Sequence, residues 1–176
     1  MLPKFSKVIN IVIRMAAGRH SKRGSVMVRT IKLGKLRFPL DRRYYARKGA
    51  HLWVRREQGG LVRLGMDSFL TENAGYLNYI SIDAKGEVRQ GRSLGNFESA
   101  KFVSKLYSPV SGKIVAVNPE VMKDPRRINR DPYGSWIVAI RPKDLPKDLL
   151  SDDLLGGEKE ISRWMEEEMR KADDGE

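Results

Sequence analysis

The chain has 176 residues, with 34 Lys and Arg against 22 Asp and Glu and no cysteine. This length allows one ordinary domain with extensions, and the lack of cysteine excludes disulfides, thiolate nucleophiles and Cys-ligated metal sites. The net charge of +12 is uneven. Residues 1–48 hold 14 basic residues and one acid, whereas residues 49–176 hold 20 basic residues and 21 acids, so the basic excess belongs to the N-terminal part.

Residues 1–37 are predicted to form a basic N-terminal extension that is partly disordered. Its apolar stretch, residues 8–13, is too short to span a bilayer. Three interpretations of residues 1–30 stay open: a wrong start or non-functional extension, a basic tail that touches nucleic acid or anionic lipid, and an organellar transit peptide. We therefore expect a cytoplasmic protein, or a mitochondrial one if residues 1–30 are a transit peptide.

Short strands separated by turns are predicted from His51 onward. Asp67 or Ser68 can cap a short helix that Gly75 ends. Pro125, Pro132 and Gly134 are typical of loops and predict that the segment between them is a loop. The predicted strands cover residues 52–55, 61–65, 76–82, 93–98, 102–106, 113–117 and 136–140.

A helix is predicted near the C-terminus, over residues 158–171. Ile161, Trp164, Met165 and Met169 fall on one face at helical spacing. We expect residues 146–176 to form a helical segment that packs on the preceding domain, residues 38–145, and ends in an acidic tail. Many short strands with two or three helices indicate a small, mostly β domain.

One lysine is predicted at the tip of a hairpin. Lys101 lies between the predicted strands 93–98 and 102–106, and apolar residues on both sides allow these arms to pack on a core. A hairpin tip keeps the ε-amine in water, where a modifying enzyme can reach it. Lys105, the competing lysine, is assigned to a solvated strand face.

Independent catalysis has no support in the motifs. The two histidines, His20 and His51, do not lie at metal-ligand spacing, and neither is accompanied by a nucleophile elbow. Gly59 and Gly60 lie between two predicted strands and indicate a turn rather than a phosphate-binding loop. We therefore predict no catalytic residues, no metal site and no enzymatic activity.

Several motifs in order resemble lipoyl-carrier domains, and most closely the glycine cleavage H-protein family. The resemblance covers about residues 38–169. Its residues are Glu98, Ser99 and Lys101, then Tyr107, Ser108, Pro109, Val110 and Gly112, with the flanking segments His51–Val54, Leu64–Phe69 and Asn129–Trp136. The fold that this resemblance implies is a barrel-sandwich hybrid of two small antiparallel sheets, with a short internal helix and a C-terminal helix.

The resemblance also implies a covalent cofactor, lipoate, on Lys101. It makes Glu98, Ser99, Ala100 and Gly112 candidates for ligase recognition or hairpin formation. It makes His51, Trp53 and Phe102 candidates for contacting the lipoyl arm. Biotin is disfavoured, because biotinyl domains place methionines beside the lysine and this chain has Ala100 and Phe102 there.

The partners that the resemblance implies are a lipoate ligase or lipoyl transferase and three enzymes of glycine catabolism: glycine decarboxylase, aminomethyltransferase and dihydrolipoyl dehydrogenase. The carrier would shuttle an aminomethyl group and reducing equivalents among these enzymes. The bulky pair Phe102 and Val103 after the lysine keeps a second pathway open, an H-like lipoate-binding protein of a heterodisulfide-reductase-like sulfur oxidation system. We expect a monomer without a membrane span.

A basic nucleic-acid-binding module is the alternative from another class. Residues 1–48, with their net charge of +13, support it. The near-neutral remainder has no distinct nucleic-acid-binding motif, so we do not expect nucleic acid to be a partner.

Overall fold

Antiparallel strands dominate the computed structural model, which describes residues 14–16 and 28–174. The strands are β1 Arg14–Ala16, β2 Val28–Leu33, β3 Leu36–Pro39, β4 Arg43–Tyr45, β5 Leu52–Arg56, β6 Val62–Met66, β7 Leu77–Ile82, β8 Glu87–Val88, β9 Ser93–Ser99, β10 Val103–Tyr107, β11 Gly112–Val117, β12 Val138–Pro142 and β13 Leu154–Leu155. The helices are α1 Ser68–Ala74, α2 Pro119–Lys123, α3 Arg126–Arg130, α4 Leu145–Asp148 and α5 Glu158–Asp174. The predicted mostly-β class is confirmed.

The chain divides into two units. One contains residues 42–155, and the other contains the described residues before 42 together with 156–174. The boundaries inferred from the sequence, at residues 37/38 and 145/146, stay predictions. Partial disorder and a transit peptide were expected in the N-terminal extension. Within it, residues 1–13 and 17–27 lie outside the described part of the chain.

Two antiparallel sheets form the unit of residues 42–155. The larger sheet has seven strands in the order β13-β4-β5-β6-β12-β11-β8, and the smaller has three in the order β10-β9-β7. Buried apolar side chains from both sheets form one core, which includes Leu64 and Ile140 from the larger sheet and Ile80 and Phe97 from the smaller. The two sheets and the short internal helix α1 agree with the predicted fold.

Local chemistry explains several boundaries in this unit. Gly59 and Gly60, both at positive φ, turn the chain between β5 and β6. Asp67 caps α1 by accepting a hydrogen bond from the Leu70 amide, as predicted, and Gly75 ends the helix at a φ of 74°.

The predicted loop between Pro125 and Gly134 is wrong, because α3 occupies residues 126–130. Pro125 lies at the position before the helix with a φ of −58°. Its ring fixes a φ that suits the start of a helix, and a helix start needs no amide hydrogen there. The proline therefore begins this helix instead of preventing it.

The other unit contains the antiparallel sheet β1-β2-β3 and helix α5. Gly34, at positive φ, lies in the tight turn between β2 and β3. The predicted face of α5 is confirmed for Ile161, Trp164 and Met165, which are buried, while Met169 is only half-buried. The packing of α5 on the carrier domain stays a prediction.

Candidate functional site

Lys101 lies in the turn that joins β9 to β10, as predicted. The Ser99 amide donates a hydrogen bond to the Phe102 carbonyl oxygen (2.9 Å), and the Ser99 hydroxyl donates to the same oxygen (3.0 Å). The amides of Lys101 and Phe102 in turn donate to the Ser99 hydroxyl oxygen, at 3.3 and 3.1 Å. The Ser99 side chain therefore holds both ends of the turn that carries the lysine.

The Lys101 side chain is exposed at this tip and has no ion pair within the described residues. The backbone of the tip is bonded to the chain just before β7, because the Ala100 amide donates a hydrogen bond to the Tyr76 carbonyl oxygen (2.9 Å). Glu98 is also exposed, and within the described part of the chain it pairs with neither Lys101 nor Lys105. The turn therefore presents an exposed amine on a backbone held by hydrogen bonds.

The segment behind the hairpin carries the chain from the small sheet to the large one. Ser108 is buried, and its hydroxyl donates to the Val110 carbonyl oxygen (2.7 Å). Gly112 begins β11, where a Cβ would lie 2.2 Å from the Arg141 carbonyl oxygen. Gly112 is thus placed where β11 and β12 approach too closely for a side chain. Its role in ligase recognition stays a prediction.

His51 and Trp53 are both buried in the large sheet or at its edge. His51 Nδ1 lies 3.1 Å from Asp67 Oδ2, and its ring stacks on Phe69 with centroids 4.5 Å apart. Trp53 Nε1 donates a hydrogen bond to the Pro132 carbonyl oxygen (2.9 Å). Both side chains thus already have protein partners, and their predicted contact with a lipoyl arm stays a prediction. Phe102, by contrast, is 41% exposed at the tip.

Replacing Asp67 by alanine is expected to lower the free energy of unfolding by about 3 kcal/mol. The substitution removes the cap of α1 and the carboxylate that lies against Nδ1 of the buried His51 ring. Urea unfolding measures the change. Asp144→Ala is the matched control: Asp144 caps α4 through the Lys147 amide at an exposed position, so about 1 kcal/mol is expected there. Equal losses in the two variants would contradict a stabilising role for the His51–Asp67 contact.

Two tyrosines of this region are expected to make the fold sensitive to alkali. Burial raises the pKa of Tyr133, with Asp67 adding to the effect, and burial raises the pKa of Tyr44, with Tyr133 adding. Because each folded pKa lies above the unfolded value, their contribution is complete below about pH 10 and is lost as pH rises through the folded pKa.

We expect the unfolding free energy to fall above pH 10 and to fall less steeply in Tyr133→Phe. Urea unfolding at pH 9 to 12 measures the slope, and Tyr79→Phe, at a tyrosine that is 54% exposed, is the matched control. A slope that Tyr133→Phe leaves unchanged would contradict the assignment.

A cleft of about 440 Å³ lies between α2, α3 and the loop that follows, and Trp136 lines it. Two arginines on its wall are paired, Arg127 with Glu120 and Arg130 with Asp124. Within residues 14–16 and 28–174, no three His, Cys, Asp or Glu side chains group as metal ligands, and no helix is both long and apolar enough to cross a bilayer.

Sequence reasoning missed two features. The contact of His51 with Asp67 joins residues 16 positions apart, and the cap position of Asp67 was the only signal for it. The strand predicted over residues 76–82 gave no sign that Tyr79 would be exposed. The register with β9 shifts between Leu77 and Tyr79, and this bulge turns Tyr79 to solvent.

Comparison with known proteins adds the following findings. Residues 43–168 match the family model described as glycine cleavage H-protein. A "Probable glycine cleavage system H protein" of Pyrococcus horikoshii is 38% identical over 117 residues, which are 66% of this chain and 84% of that protein. "Glycine cleavage system H protein 1" of Caldanaerobacter subterraneus subsp. tengcongensis is 41% identical over 106 residues, 60% of this chain and 82% of that protein.

A solved structure is similar as well. The crystal structure of a glycine cleavage system H protein from Mycobacterium marinum aligns with a TM-score of 0.60 and 34% sequence identity. The alignment covers 72% of this chain and 98% of that one.

Proposed function

The chain belongs to the glycine cleavage H-protein family, and on this premise we propose that Lys101 is the residue to which lipoate is attached. Members of this family are the lipoate-carrying component of the glycine cleavage system and not catalysts themselves. The observation that carries the assignment is the exposed Lys101 side chain on the turn fixed by Ser99.

The residues around Lys101 fit a tethered group. No carboxylate within the described residues forms an ion pair with the Lys101 ammonium, so attachment of lipoate there breaks no ion pair. The tip backbone is anchored at Ser99 and Ala100, so an arm attached there would swing from a fixed base. Such a tether raises the local concentration of the carried group at a partner's site.

Attachment requires a ligase and an activated acid. The neutral ε-amine of Lys101 attacks the carbonyl carbon of lipoyl adenylate, an amide bond forms as the bond to AMP breaks, and the nitrogen gives up a proton to water. Lysine suits this step because an enzyme's general base can remove a proton from an alkylammonium but not from an arginine guanidinium, which stays charged in proteins. When bound, lipoate supplies a cyclic disulfide that can accept a carbon group and two electrons.

Incubation of the protein with lipoate, ATP and a lipoate ligase tests the proposal. We expect the intact mass to increase by one lipoyl group, and tryptic digestion to leave the chain uncut after Lys101 because the acylated lysine is no longer a cleavage site. No mass increase, with a lipoyl-transfer system tested as well, would overturn the assignment. A lipoyl group found on Lys105 instead would assign the attachment site to Lys105.

The pathway is a finer proposal. We infer that the loaded carrier serves glycine decarboxylase, aminomethyltransferase and dihydrolipoyl dehydrogenase in turn, because the family match spans residues 43–168 and includes the hairpin. Loaded protein added to the three enzymes should support glycine-dependent reduction of NAD. Failure there, with turnover by a heterodisulfide-reductase-like complex instead, would favour the sulfur oxidation pathway.

A further inference from the structure

Exposed apolar side chains are concentrated around the lysine. Six large apolar residues are exposed in the part of the chain that the structure describes, and four of them lie at the hairpin or at the strand that supports it. These four, which we call the hairpin patch, are Tyr76, Tyr79, Phe102 and Val103, exposed by 65, 54, 41 and 67%. Exposed apolar side chains grouped in this way indicate a surface that another molecule covers.

The register of the small sheet places much of the patch on one face. Tyr79 of β7 lies opposite Glu98 of β9, and Glu98 lies opposite Val103 of β10, so these three side chains form a row across the sheet. Phe102 continues from Val103 into the turn, and its ring edge contacts Phe97, with centroids 5.9 Å apart. A protein that encloses the Lys101 side chain therefore also contacts the row of Tyr79, Glu98 and Val103.

One arginine, Arg126, lies at the border of the patch. The Arg126 guanidinium lies 5.4 Å from the centre of the Tyr76 ring and has no carboxylate partner within the described residues. The neighbouring arginines differ, since Arg127 and Arg130 are paired with acids. A partner with a carboxylate at its rim would pair with Arg126 as it covers Tyr76.

We propose that the hairpin patch is the docking surface of the enzyme that attaches lipoate, an enzyme face with apolar side chains over Tyr79 and Val103, a cation or hydrogen-bond donor opposite Glu98 and a carboxylate opposite Arg126. This inference rests on the proposed function of Lys101. The short length of the unmodified lysine side chain favours this partner over the enzymes that act on the loaded carrier. The unmodified lysine has only a four-carbon stem, so the acylating enzyme must close over the hairpin tip. Partners that act on the loaded carrier meet the far end of a longer arm and need not cover the sheet.

Kinetics of lipoylation test the proposal. Initial rates are measured by intact mass at increasing carrier concentration, with lipoate, ATP and ligase held fixed. For Tyr79→Ser/Val103→Thr we expect KM to increase about tenfold with kcat nearly unchanged, as for the loss of ground-state contacts in an interface. Val115→Thr/Leu150→Ser is the matched control, since both residues are exposed and lie outside the patch.

Arg126→Gln should raise the KM for the carrier at low salt and reduce the dependence of that KM on salt concentration.

A competition assay gives an independent measurement. Lys101→Arg protein, which offers the patch without an acceptor amine, should inhibit lipoylation of the wild type competitively, and the same protein carrying Tyr79→Ser/Val103→Thr should inhibit about tenfold less. Lipoylation at Lys101 with an unchanged KM, or a loss confined to kcat, would overturn the docking surface and leave the carrier function intact. Absence of lipoylation in the wild type would overturn both.

Discussion

Lys101→Arg is expected to abolish lipoylation completely while leaving the fold unchanged. The guanidinium keeps the positive charge and a similar length, but it stays protonated at any pH the protein tolerates and cannot attack an acyl adenylate. The turn does not depend on the side chain of residue 101, because its hydrogen bonds come from the backbone and from Ser99. Intact mass after incubation with ligase, lipoate and ATP measures the loss.

Lys105→Arg is the matched control for this substitution. Lys105 is an exposed lysine in the same hairpin, opposite Asn96 in the register of β9 and β10. We expect this variant to gain one lipoyl group at the wild-type rate. A lipoyl group that persists in Lys101→Arg and disappears in Lys105→Arg would transfer the attachment site from the turn to the strand.

The parts of the site that the sequence could predict depend on local chemistry. The strand arms, the tip position of Lys101 and the cap at Asp67 each follow from a few neighbouring residues. The start of α3 could not be predicted correctly from the same kind of signal, because Pro125 is compatible with both a loop and a helix start. The neighbouring residues did not decide between the two.

Features that join distant strands could not be predicted from one sequence. The bulge in β7 lets Leu77 and Ile80 both be buried and leaves Tyr79 exposed, which alternation in the sequence does not reveal. The hairpin patch combines that bulge with Val103, which is 24 residues further along the chain. Register across strands is set by the whole core, so the patch emerges only when the sheet is assembled.

Gly95→Ala is expected to destabilise the strands that carry the hairpin strongly, although it adds only one methyl group. A Cβ at residue 95 would lie 1.9 Å from the Ser81 carbonyl oxygen and 2.9 Å from the Ile82 Cα. These are backbone atoms of the paired strand β7 and cannot turn aside as a side chain could. The two strands must separate, which weakens their hydrogen bonds and the packing of Leu94 beneath them.

We expect Gly95→Ala to lower the unfolding free energy by about 3 kcal/mol, and the melting temperature by about 6–12 °C for a chain of this size. Gly134→Ala is the matched control. It makes the same chemical change, and its Cβ would lie 2.2 Å from an Asp131 carboxylate oxygen, but that side chain is exposed and can rotate away. A loss of about 1 kcal/mol is expected there, mainly from the hydrogen bond between the Gly134 amide and Asp131. Because β9 leads directly into the turn of Lys101, Gly95→Ala should also slow lipoylation, whereas Gly134→Ala should not. Equal stability of the two variants would contradict the close approach of β7 and β9 at Gly95.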